Sequence, residues 1–256
     1  LHYPLRRQRQ MCIRDSIRAA RGEYIAFQDS DDLWLPGKLA AQMRALQRHP
    51  ECALCYTKAV YCTARGEPTR RVYSGSNQGR TGDIFDLVLA NTPLIPCPTL
   101  MVKKAALAEV GPFDETLRKG EDTDLCLRLA LRYHGTHLKT AYVLVRQHEG
   151  ERLTHAANDC DIRVYRRLAE TLPPERGRWR PLVRARIREH EFMLAGHECP
   201  EGDWSWFLER IEAIVTEEPD AMRSDFAHQG LVRAMLARGD TAEGQLREVE
   251  DLIGRH

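Results

Sequence analysis

Three carboxylates stand together at Asp29, Asp31 and Asp32, directly behind the β-rich run Glu23–Gln28. Like charges this close repel, and a cation or solvent must offset the repulsion. Hard divalent ions such as Mn2+ or Mg2+ take oxygen ligands, keep several waters and share the rest with substrate phosphates. In open α/β sheets, ligands gather at the carboxyl ends of strands, where this cluster falls. Taken alone, the triplet also reads as a solvated loop whose Asp residues cap the helix starting near Pro36.

A second acidic group, Glu121, Asp122 and Asp124, follows Gly120 at the head of a helical pattern. Acidic residues in a first turn ordinarily complement the helix macrodipole. A carboxylate held there and aimed into a cleft is also a general base for an attacking hydroxyl. His148 comes just after the last strand of the α/β pattern. A neutral imidazole there would complete a metal shell with the Asp cluster, although a lone His is more often a plain surface or core residue. Lys103 and Lys104 could touch a diphosphate or simply face solvent. Trp34 has two readings as well, one beside a donor sugar and one as a core anchor.

The elements that must position these groups follow from pattern. Pro36 opens a helix to about Arg48, with Leu35, Leu39, Met43 and Leu46 as its apolar stripe. Cys52–Cys62 is a continuous apolar strand, as expected for burial on both faces. Arg65–Gly82 is polar and Gly-rich and reads as a loop, Asp83–Ala90 as a short helix, and the three-proline stretch Asn91–Pro98 as irregular. Thr99–Val102 reads as a strand, Lys103–Val110 and Glu121–Tyr133 as helices, and Leu138–Arg146 as the last strand. Alternating strands and helices imply a layered α/β domain. Beyond about Asp159 the spacing is helical throughout, over Arg163–Leu172, Pro181–Leu194, Trp204–Thr216, Ala221–Ala237 and Thr241–Ile253. No clean repeat period runs through this all-α region.

With 43% hydrophobic and 29% charged residues, the 256-residue chain can bury a substantial core, and global disorder is excluded. Lys and Arg number 38 against 37 Asp and Glu, so no net charge drives the chain to nucleic acid or an anionic membrane. A local basic patch lies within Arg163–Arg188. The eight cysteines, Cys52-x-x-Cys55 among them, are expected as buried thiols. No apolar run has the length of a membrane span, and LHYPLRRQRQMCIRDS has no apolar segment of a secretory signal. A cytoplasmic protein, peripheral to the inner face of the membrane at most, is the expectation. Residues 1–16 are expected as an unstructured or artefactual tail, because MCIRDS resembles translated adapter DNA.

In order and wording these motifs resemble a family. ARGEYIAFQDSDDLWLPGKLAAQ is similar to the segment around the DXD motif of family 2 glycosyltransferases, inverting enzymes of GT-A fold. LMVKKAALAEVGPFDETLRKGEDTDLCLRLAL resembles their acceptor-side segment, where a Gly-Phe-Asp turn leads to a Glu-Asp pair at a helix head. AYVLVRQHEGERLTH resembles their closing strand, often ending in Tyr-Arg-x-His, with Val145 here in place of Tyr. The three motifs span residues 17 to 155.

The resemblance implies a GT-A-like, Rossmann-like mixed sheet flanked by helices over residues 17–158, and a helical region over 159–256. It implies Asp31 as the direct metal ligand, Asp29 facing the donor ribose or the metal's surroundings, and Asp32 assisting. Asp122 would be the general base, Glu121 its neighbour toward the acceptor, and His148 a further metal or phosphate contact. The implied partners are a nucleotide-sugar donor, with Mn2+ or Mg2+, and a glycan, lipid-linked or protein acceptor. Nucleic acid is not among them. The helical region would serve a protein or peripheral membrane contact. The family's opening Pro-x-Tyr-Asn-like strand turn and its Ala-Arg-Asn-like helix have no counterpart here, so the domain is expected to be incomplete at its N-terminus. Two other classes fit parts of the pattern: a non-catalytic interaction module derived from a transferase domain, and a metal-dependent phosphate-ester hydrolase built on the Asp cluster.

Overall fold

The eleven residues Cys52–Cys62 form β3, and Cys52 through Thr57 are all buried. A strand with apolar side chains on both faces cannot sit at a half-wet edge, so the sheet grows on both its sides. In this computed structural model, which describes residues 15–74, 80–91, 95–147, 159–200, 203–217, 229–232, 234–235, 247–249 and 251–252, the chain divides into two compact units, Leu1–Gly150 and Glu151–His256.

The first unit holds a six-stranded mixed sheet of order β1-β5-β3-β6-β2, with β4 also on β3. Its strands are β1 (Tyr24–Ala26), β2 (Leu33–Trp34), β3, β4 (Pro68–Ser74), β5 (Met101–Lys103) and β6 (His134–Arg146). β3 and β6 run parallel from Cys52↔His134 to Cys62↔Arg146, and the other pairs are antiparallel. The helices are α1 (residues 15–19), α2 (Lys38–Arg48), α3 (Phe85–Ala90), α4 (Lys104–Val110) and α5 (Glu121–Arg132). The α/β, GT-A-like architecture expected from sequence is therefore present.

Several boundaries differ from the sequence reading. The stretch expected as a loop over Arg65–Gly82 contains β4, whose Thr69 hydroxyl donates to Tyr61 O at 2.9 Å. Two register shifts interrupt its pairing, and Pro68 occupies its first position, where an edge strand tolerates proline. That irregularity hides the strand from a period-2 search. β6 begins four residues before Leu138, because Gly135 is a close-packing site rather than a breaker. A Cβ there would lie 2.5 Å from Ile84 Cδ1. Helix α1 starts at residue 15, inside the segment expected as a tail.

The stripe of α2 is also rotated from the expected one. Its buried residues are Lys38, Ala41, Gln42, Ala45 and Leu46, while Leu39 is 45% exposed. A lysine and a glutamine on the inward face defeat a reading based on apolar spacing alone.

In the second unit, the described elements are helices: α6 (Asp159–Thr171), a 3-10 turn at Pro174–Trp179, α7 (Arg180–Glu198) and α8 (Trp204–Glu217). Residues 229–232, 234–235, 247–249 and 251–252 are helical too, and the rest of the expected helices Ala221–Ala237 and Thr241–Ile253 lies outside the described residues. Phe192, Phe207, Ile211, Ile214 and Leu231 share the core. Gly196 lets the chain approach closely, since a Cβ there would sit 2.7 Å from the Ala234 Cα. Among the described residues, no helix is long and apolar enough to cross a membrane.

Candidate functional site

β1 ends at Ala26, and the Phe27 amide donates to Leu100 O at 3.4 Å, which carries the pairing toward β5 one residue further before the acidic loop begins. The acidic loop is then folded on itself. The Asp32 amide donates to Asp29 O at 3.3 Å, and Gln28 Nε2 donates to Asp29 O at 3.0 Å and Asp32 O at 2.9 Å. The three aspartates occupy different environments. Asp32 is buried, and its Oδ1 accepts the Arg146 amide at 3.1 Å. Asp29 is half-buried and Asp31 exposed. Arg146 Nε donates to Asp31 O at 3.0 Å, and its Nη1 donates to Ala64 O. The end of β6 thus latches the acidic loop to the turn after β3.

The second acidic group depends on Gly120, whose φ of 76° lies where a side chain would be strained. Glycine there lets the chain turn into α5 with Glu121 and Asp122 in the first turn, both half-buried. Asp122 Oδ1 accepts the Thr123 amide at 2.8 Å. Asp124 is set apart as a strut: it is buried and accepts Arg128 Nη2 at 2.7 Å. The same guanidinium donates to Val110 O at 2.6 Å, Gly111 O at 3.0 Å and Pro112 O at 2.9 Å, fixing the turn before α5.

Two contacts bring the acidic groups toward each other. Phe27, ahead of Asp29, meets Phe113, ahead of α5, edge to face with centroids 5.6 Å apart. A 3-10 turn, Cys97–Thr99, comes just before β5. The Cys97 thiol is pushed well above its ordinary value, by burial first and then by its neighbours Asp122, Cys126, Asp29 and Glu121. One thiol therefore feels both acidic groups. Cys126 packs from α5 on the same side and directs its thiol to Ile95 O at 3.6 Å. Sequence reading missed the roles of Arg146, Arg128 and Cys97. Only the arginine in Val145-Arg-Gln-His148 carried a signal, through its place beside a motif histidine.

Both lysines considered for a diphosphate bind backbone instead. Lys103 Nζ donates to Pro50 O at 2.8 Å and Lys104 Nζ to Ala20 O. His148 lies outside the described residues. Among the described residues no group of three or more His, Cys, Asp or Glu could cage a metal ion. Asp29 and Asp31 fit a different kind of site, in which one or two carboxylates hold Mg2+ or Mn2+ and substrate phosphate and water fill the remaining positions. The cysteines of the described residues are free thiols, with Cys52, Cys55, Cys62, Cys126 and Cys160 buried.

Several known proteins are similar to this chain in sequence or fold. An uncharacterized glycosyltransferase of Rickettsia bellii (strain RML369-C) is 31% identical over 116 residues, covering 45% of this chain and 16% of that protein. The pre-mycofactocin glycosyltransferase of Mycobacterium tuberculosis (strain CDC 1551 / Oshkosh) is 28% identical over 134 residues, or 50% of this chain and 28% of that protein. The chain thus spans well under a third of the length of these two curated relatives. Among solved structures, S. aureus TarS 1-349 superposes with a TM-score of 0.57 at 14% identity, over 91% of this chain and 69% of that one, which establishes likeness of fold. The family described as glycosyltransferase like family 2 matches residues 11–172, well over half of the sequence. The chain belongs to the glycosyltransferase-like family 2.

Proposed function

We propose that the first unit transfers a sugar from a nucleoside-diphosphate sugar to an acceptor hydroxyl, with inversion, in the assembly of a glycoconjugate. The observation that carries this reading is the Phe27–Phe113 contact, with centroids 5.6 Å apart, which sets the segment leading into the acidic loop against the segment leading into α5. One group offers carboxylates for a diphosphate-bound cation, the other a base at a helix head. Asp122 takes the proton of the acceptor hydroxyl as its oxygen bonds to the anomeric carbon. The bond from that carbon to the diphosphate oxygen breaks on the opposite face, and the nucleoside diphosphate leaves. Glu121 faces the acceptor. Asp31 and Asp29 would hold Mn2+ or Mg2+, whose contribution when bound is to neutralise the leaving diphosphate. Asp32, tied to the Arg146 amide, keeps the loop in shape. His148 would add a further metal or phosphate contact.

In this reading residues 17–158 belong to the GT-A domain and 159–256 to a helical region that docks a protein or a membrane surface. The test is release of nucleoside diphosphate from a panel of UDP-, GDP- and dTDP-sugars with Mn2+, offered glycan and lipid-linked acceptors. Turnover that needs Mn2+ and disappears in Asp122→Asn supports transfer. A function indifferent to both Asp31→Asn and Asp122→Asn would instead mark an interaction module.

A further inference from the structure

Lys38 is 1% exposed, and among the described residues its ammonium has no hydrogen-bond partner. Its Nζ lies over the indole face of Trp34, 3.9 Å from the ring centroid. A buried charge without an ionic partner costs stability, and an apolar side chain of similar length would fill the space without that cost. The position of the lysine gives it a use. Trp34 Nε1 donates to Pro98 O at 3.0 Å. One helical turn beyond Lys38, the fully buried Gln42 donates from Nε2 to Thr99 O at 2.9 Å and Cys55 O at 3.0 Å. The Thr99 hydroxyl closes the turn by donating to Pro96 O at 2.7 Å. Two side chains, Trp34 from β2 and Gln42 from α2, therefore hold the carbonyls of one short turn, and that turn carries Cys97.

We propose that Lys38, Trp34 and Gln42 form a brace that sets the turn Cys97–Thr99 near the two acidic groups, making Lys38 a positioning residue for the transfer site. The ammonium fixes the plane of the indole, the indole fixes Pro98, and Gln42 fixes Thr99. Its consequence for turnover rests on the sugar-transfer reading. The brace itself rests on the contacts above.

The experiment uses the full chain as wild type, Lys38→Met and Trp34→Phe, the second removing the indole donor while keeping an aromatic ring. Each is alkylated with iodoacetamide at one pH, and the rate at Cys97 is read by peptide mass spectrometry against Cys199, a half-buried thiol of the other unit. The expected ratio of the Cys97 to the Cys199 rate rises about tenfold in both variants as the turn loosens. Lys38→Met should melt at or above the wild-type temperature, because it removes a buried charge. With any donor that turns over, kcat should fall about tenfold while the donor KM stays within about twofold. An unchanged ratio in both variants overturns the brace, as does a Lys38→Met protein that melts lower and exposes Cys97 and Cys199 alike. If the wild type turns over no donor, the sugar-transfer reading fails while the Cys97 ratio still decides the brace.

Discussion

At the head of the sheet, Asp29, Asp31 and Asp32 gather one sign of charge, and Glu121 and Asp122 add more of it within reach of the same thiol. Along α7 the charges are as dense but opposite in sign, and they lie inside a helical core. Arg186 pairs with Glu189 there, and Arg188 Nη1 bonds Glu191 Oε2 at 2.5 Å, with both residues of each pair buried. Tyr165 OH accepts Arg186 Nη2 at 3.1 Å, and Arg166 Nη2 reaches Glu191 Oε1 at 2.6 Å. Opposite charges inside a core neutralise one another and fix how helices sit. Like charges at a strand end do the reverse, and a cation or solvent must offset them; in the reading proposed above it is a diphosphate-bound cation. The first pattern marks a site, the second a scaffold.

Substitutions should separate the two, and the largest effect belongs to the site. Asp122→Asn and Asp31→Asn should each cut turnover by roughly 10²–10⁴-fold with the melting temperature nearly unchanged, measured by nucleoside diphosphate release and calorimetry. In the scaffold the effect moves to stability. Glu189→Gln takes the buried carboxylate charge away from Arg186 and should cost about 3–5 kcal/mol in denaturant unfolding, whereas the double change Arg186→Met, Glu189→Met should recover most of it. A smaller steric version is Gly196→Ala, which presses a methyl against Ala234 and should cost about 1–3 kcal/mol.

The gentlest probe is pH. The His137 ring packs tilted against Tyr56, with centroids 4.7 Å apart, and burial, aided by Lys58 and Lys139, lowers its imidazole from 6.5 to about 4. Below pH 6.5 the unfolded chain therefore binds a proton that the folded chain refuses. Stability should fall as pH drops from 6.5 toward 4 and then level off for this group. His137→Phe, compared with wild type in urea titrations across that window, should lose that part of the slope.

Much of the fold was legible because its strongest elements obey one period. β3 was bounded at Cys52 and Cys62 from its unbroken apolar run, and α5 began at Glu121 as expected. Elements that rely on pairing were not legible. β2 is two residues long, recognisable only once Leu33 and Trp34 face Leu144 and Val143. At the site, residue types announced the carboxylates, yet neighbours decide what each one does. Nothing in the spacing of Asp-Ser-Asp-Asp says that Asp32 would accept an amide 114 positions away, or that Asp124 would hold Arg128 rather than face the cleft. Cys97 gave no signal, because its meaning lies in two segments that meet only in the folded chain.

The most direct test of the central claim, that Asp31 carries a cation for a diphosphate, is a Mn2+ titration followed by water-proton relaxation, with and without UDP. Wild type should bind Mn2+ weakly alone and markedly tighter with UDP, while Asp31→Asn should lose that enhancement and Glu189→Gln, at a temperature where it stays folded, should keep it. Equal enhancement in wild type and Asp31→Asn would contradict the claim and leave the acidic loop as a solvated cap.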